Sequence, residues 1–209
     1  MMPIDWHETE MTKIEPEKAA VIFGEVNPHF EPIPMSEETT VLRSRSLPFY
    51  ADMKLYAFTD YSTVPPVTKY ALYRPGEVHV INWTNGPIYD VNECAPVQLT
   101  KENVADYARF FFSMVRGQHG RFRVVEQMND VPFLEDPSDE ISGNIAEMIH
   151  PIFHEAPDGK SAFVLNATFL FQDALFSSKV GVNKDGSINL YDETLLLEDL
   201  PARADIILR

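Results

Sequence analysis

At 209 residues, 44% of them hydrophobic and 11% aromatic, the chain can bury roughly 70% of its unfolded surface and is too apolar to be disordered throughout. Its single cysteine, Cys94, excludes an internal disulfide and any zinc centre built on two cysteines of one chain. Seventeen basic against 32 acidic side chains leave a net charge of −15, a field that repels nucleic acid and anionic membrane surfaces.

The opening residues carry no apolar run of leader length and no basic start, so no secretory leader is expected. No stretch reaches the roughly 18 consecutive apolar residues that a membrane helix requires. A cytoplasmic, reducing location fits the lone thiol. Residues 1–46, broken by Pro3, Pro16, Pro28, Pro32 and Pro34, predict an irregular N-terminal arm in which only 19–26 suggests a strand or short helix. A single α+β domain is expected over 47–209.

Strand formers dominate 53–61, 67–74 and 77–83. Pro75-Gly76 between the last two suits a type II turn, because proline presets φ at the first central position and glycine accepts the positive φ of the second. Asn85-Gly86 suits a type I′ hairpin, which makes 87–91 a returning strand. Residues 53–92 are therefore expected to form an antiparallel meander of three or four strands.

The strongest helical pattern runs from Lys101 to Arg116, with Thr100 as N-cap and Gly117 just past the end. Val104, Ala108, Phe111, Phe112 and Val115 form one apolar stripe, and Tyr107, Phe110 and Met114 widen it. Such a rod is expected to be interior on most sides. The period then changes to two: over 121–126, Phe122 and Val124 share one strand face while Arg121, Arg123 and Val125 share the other. Residues 127–158 hold eight acids and no lysine or arginine, and a short helix capped by Ser138 is expected within 138–150. Strands follow at 161–171, 174–182 and 187–197, with Asn183–Gly186 as a turn. The fold class that results is α+β: an antiparallel β-meander, one long buried central helix, and C-terminal antiparallel strands packed as a mixed roll or two-layer domain.

Four of the nine arginines, Arg109, Arg116, Arg121 and Arg123, fall within 15 residues beside His119. Guanidinium forks bind phosphate or carboxylate in two-pronged fashion, so these five residues are the candidate ligand site. The helix C-terminus nearby opposes an anion, and the acidic segment 127–158 offers the arginines internal partners instead. Glu147, His150 and His154 are the candidate metal ligands, since two histidines four apart share a helix face. Pro151 works against that helix. Residues 181–193 match a calcium loop at Asn183, Asp185 and Gly186 but not at its ends: Gly181 stands where an acid should ligate and Asp192 where a bidentate glutamate is expected. Cys94 needs a base to act as nucleophile, and His79 or His119 could reach it only through the fold. The nucleotide loops and the serine-hydrolase elbow are missing, and no cofactor is expected.

No catalytic constellation passes its own geometric test in the sequence. The leading expectation is therefore a non-enzymatic binding or protein-interaction module, open to self-association. The second is a hydrolase-type enzyme using the His/acid cluster with or without a metal. The third is a domain binding a small anionic ligand. Neither nucleic acid nor membrane is an expected partner.

Overall fold

A computed structural model describes residues 11–117, 120–157 and 159–202. The chain divides into two compact units at Leu99. Among the described residues there are two five-stranded antiparallel sheets and four α-helices, an α+β composition. No helix among them is long and apolar enough to cross a membrane.

In the first unit, β1 (Thr12–Lys13), β2 (Thr40–Ser46), β3 (Lys54–Asp60), β4 (Val67–Arg74) and β5 (Glu77–Val80) lie in sequence order across one sheet. Tyr56 and Phe58 on β3 and Ala71 and Tyr73 on β4 point to the face that receives Phe23 and Val26 of α1 (Pro16–Val26). Leu55, Ala57, Tyr70 and Leu72, one step out of phase, are also buried, so β3 and β4 are covered on both faces. The β4–β5 connection turns at Gly76 with φ +80°, as the Pro-Gly pair predicts.

Of the expected arm, residues 1–10 lie outside the described residues, and 11–46 hold regular elements. Residues 16–26 are helical, starting with Pro16 at a position where a missing N–H is harmless, and 40–46 form the second of the five strands, paired on both edges. Pro16, Pro28, Pro32 and Pro34 lie at or between these elements and do not prevent them. The hairpin at Asn85-Gly86 is also overturned. Asn85 has φ −74° and ψ −18°, and Gly86–Cys94 form a helix, α2. Pro87 is preset for a first helical turn, and Ile88 and Val91, three apart, are fully buried on one side of it. That spacing outweighs a two-residue turn signal.

In the second unit, α3 spans Val104–Met114 and is 11 residues long, shorter than the rod expected over 101–116. Thr100 does not cap it. Thr100 and Asn103 close a turn, with the Thr100 N–H donating to Asn103 Oδ1 at 2.8 Å, and the helix begins after it. At the other end Val115 is already extended, with φ −115° and ψ 136°, and Gly117 pairs with Gly120 instead of ending the helix. The interior character holds: Val104, Tyr107, Ala108 and 110–114 are all buried.

The second sheet runs β10 (Ile188–Leu197), β9 (Ala174–Val182), β8 (Phe163–Phe171), β6 (Arg123–Val124), with β7 (Phe153–His154) also on β8. Phe169 of β8 and Phe122 meet Phe112 and Phe176 on the α3 face. Leu170 and Val125, one step out of phase, pack with Ile145 of α4 (Asp139–Met148) on the opposite face. This is the alternation expected of 121–126. Ser138 caps α4, its Oγ accepting from Ile141 N–H at 3.3 Å, with Asp139 and Glu140 in the first turn. Ser138→Ala is expected to lower stability by about 1 kcal/mol in urea unfolding, the usual cost of a lost N-cap.

Candidate functional site

The second unit holds a cavity of about 400 Å³ between the last turn of α3 and the β6 strand with its flanks. Arg109, Arg121, Arg123, Glu126 and Asp130 supply its charged wall, and Phe112 and Phe122 its aromatic one. On α3, Arg109 and Phe112 lie three apart and so share a side. The run 121–124, the end of the sheet path that carries β6, lines the cavity with residues of both parities, Arg121 and Arg123 as well as Phe122 and Val124.

Arg109 is anchored on two carboxylates. Its Nε and Nη2 donate to both carboxylate oxygens of Glu126, at 2.7 and 2.8 Å, while Nη1 donates to Asp106 Oδ1 at 2.7 Å. Both partners of the fork are about one-fifth exposed, 21% for Arg109 and 22% for Glu126. Burial alone would raise the Glu126 carboxyl. The Arg109 hydrogen bonds, the Ile152 N–H and the guanidinium charge together outweigh it and leave the carboxyl below its usual range. For Arg109 the partners lie outside 127–158: it is neutralised by Asp106, one helical turn away, and by Glu126, just before the acidic segment begins. Asp130 of that segment is occupied otherwise, accepting from the Glu126 and Gln127 backbone N–H groups.

The cavity thus gathers Arg109, Arg121 and Arg123 of the five ligand-site residues. Arg116 is not part of its wall. His119 lies outside the described residues. Glu147, His150 and His154 do not converge. Glu147 sits in α4, His150 places Nδ1 3.0 Å from Pro151 O, and His154 donates from Nε2 to Lys101 O at 2.8 Å. Pro151 keeps the two histidines off a common helix: α4 ends at Met148, and His154 is in β7. The 183–186 segment is a hairpin turn with Gly186 at φ +82°.

Among the described residues, the metal-type donor atoms that do converge are those of Glu77, His79 and Cys94 in the first unit. Glu77 and His79 are two apart on β5 and so point the same way; Cys94 ends α2. Glu77 Oε1 accepts from the Cys94 thiol at 2.6 Å and lies 2.9 Å from His79 Nε2, with the sulfur 3.7 Å from that nitrogen. Hydrogen bonds from Cys94 and His79, then from Arg74, hold the Glu77 carboxyl at a pKa of about 2. Desolvation of the sulfur and the adjacent carboxylate push the thiol above its ordinary value. The sequence pointed to His79 as a group that could meet Cys94 but offered no signal for Glu77. Comparison of this chain with protein-family models, with curated proteins and with solved structures found no match in any of the three.

Proposed function

We propose that the protein is a binding module whose second unit takes a small ligand carrying a phosphate or carboxylate on an aromatic or other apolar body. The observation that carries this reading is one cavity walled by three guanidiniums and two phenylalanine rings in a chain of net charge −15. Two carboxylates, Glu126 and Asp130, stand in the same wall, so the wall sums to one positive charge. Glu126 is held by Arg109, and Asp130 accepts from backbone N–H groups. The α3 C-terminus contributes only about half a negative charge, which the guanidiniums of Arg121 and Arg123 exceed. A planar guanidinium pairs with a carboxylate or phosphate through two parallel hydrogen bonds, and Phe112 and Phe122 suit the apolar remainder.

Thermal denaturation with phenyl phosphate, benzoate and inorganic phosphate tests the proposal. A ligand that binds only the native state stabilises it by about 2.7 kcal/mol at a hundredfold excess over Kd, enough to raise Tm by several degrees. Phenyl phosphate is expected to raise Tm more than inorganic phosphate, and the R121Q/R123Q variant is expected to lose the rise. No shift with any of the three, or an equal shift in the variant, overturns the reading.

A further inference from the structure

The Glu77, His79 and Cys94 side chains have no part in the anion cavity and lie in the other unit. The geometry points to a zinc-class divalent cation site in which Cys94 Sγ, His79 Nε2 and Glu77 Oε1 are the three protein ligands and a fourth position stays open to water.

Three observations carry it. The first is chemical. Thiolate, imidazole and carboxylate are the donor types zinc takes, and three of them with one open position form a recognised coordination set. The second is metric. In a tetrahedral zinc site a sulfur and a nitrogen ligand stand about 3.5 Å apart. Cys94 Sγ and His79 Nε2 are 3.7 Å apart. Only the carboxylate oxygen has to withdraw, by about 1 Å, to reach a similar separation from both, which a side-chain rotation provides. The third is the support behind the carboxylate. Arg74 donates to Glu77 Oε2 from Nε at 2.7 Å and contacts it with Nη2 at 2.6 Å, so Oε1 is the oxygen left facing the sulfur and the imidazole. This is how an outer partner orients a ligating carboxylate.

The same contacts argue against a nucleophilic thiol. Both the thiol and the imidazole Nε2–H direct their protons at one carboxylate oxygen, so Nε2 is not presented to Cys94 as a base. A cation at the shared point replaces those two protons and satisfies all three donors at once.

Cobalt(II) titration of the purified full chain tests the site. Cys94 is the only cysteine, so any sulfur-to-cobalt charge-transfer absorption must come from it. The expected result is one equivalent of Co²⁺ giving that absorption, its displacement by Zn²⁺, and its loss in C94S. R74Q is expected to keep the absorption with roughly 10-fold to 100-fold weaker affinity, the usual cost of an outer partner. On the unaltered protein, Zn²⁺ is expected to slow alkylation of Cys94 by iodoacetamide, a readout that needs no variant to fold. Cobalt bound without a sulfur band, a band that survives in C94S, or alkylation that zinc leaves unchanged overturns the proposal.

Discussion

Phe169→Ala is expected to destabilise the second unit by about 3–5 kcal/mol, the range for removing a buried phenylalanine ring. Phe169 has no exposed surface. Its ring lies edge-on to Phe112 of α3 at 4.7 Å, stacks with Phe176 of β9 at 5.6 Å, and meets Phe122 at 6.4 Å. It therefore joins the helix, two strands of the sheet and the cavity wall through one side chain. Alanine forfeits the transfer free energy of the ring and leaves a void that these three rings, each held by its own backbone, fill only in part. Phe169→Leu keeps most of the volume and is expected to cost less than about 2 kcal/mol. Urea unfolding followed by near-ultraviolet circular dichroism measures both. A loss below about 1 kcal/mol for the alanine variant contradicts the packing described.

Glu126→Ala has the next largest expected effect, about 2–4 kcal/mol. Breaking a fully buried ion pair costs more, but this one retains some solvent, and each lost charge-assisted hydrogen bond accounts for about 1.5–3 kcal/mol. The change removes both prongs from Arg109 and the acceptor of the Ile152 N–H. R109M/E126L is expected to recover part of the loss, since two apolar groups leave no buried charge unpaired. The pH dependence has a definite sign. The folded-state pKa of Glu126 is depressed, so its contribution is complete above the unfolded value near about 4.3 and is lost as pH falls through the folded one. Glu126→Gln is therefore expected to flatten the acid limb of the stability curve below about pH 4.3, with little change in its slope at neutral pH. An acid limb identical to that of the unaltered protein excludes the pair as a source of acid sensitivity.

Much of the local structure was readable from the residues. The strands at 163–171 and 174–182 follow from runs of β-branched and aromatic side chains, and the Ser138 cap marks the start of α4. The alternation of Phe122, Val124 and Val125 assigned their faces before any neighbour was known. The errors share a cause. Asn85-Gly86 is a strong turn signal within two residues, yet burial of Ile88 and Val91 made the segment helical. The ends of α3 were misread because a Thr100–Asn103 turn and an extended Val115 are settled by hydrogen bonds and packing beyond the helix itself.

The candidate sites divide in the same way. Arginines 109, 121 and 123 attract attention as a cluster in the sequence, but their shared cavity exists because the run 121–124 and its Phe112 and Arg109 neighbours of α3 border one hollow. Glu77 and His79 are ordinary strand residues until α2 ends with Cys94 beside them, 15 positions beyond His79. Composition, periodicity and caps act over a few bonds, so the α+β character and most element positions follow from the residue order alone. That Glu126 neutralises Arg109, and that Glu77 and His79 surround the thiol, depends on segments 15 to 17 residues apart meeting; such contacts form only where the buried faces of several elements meet at once.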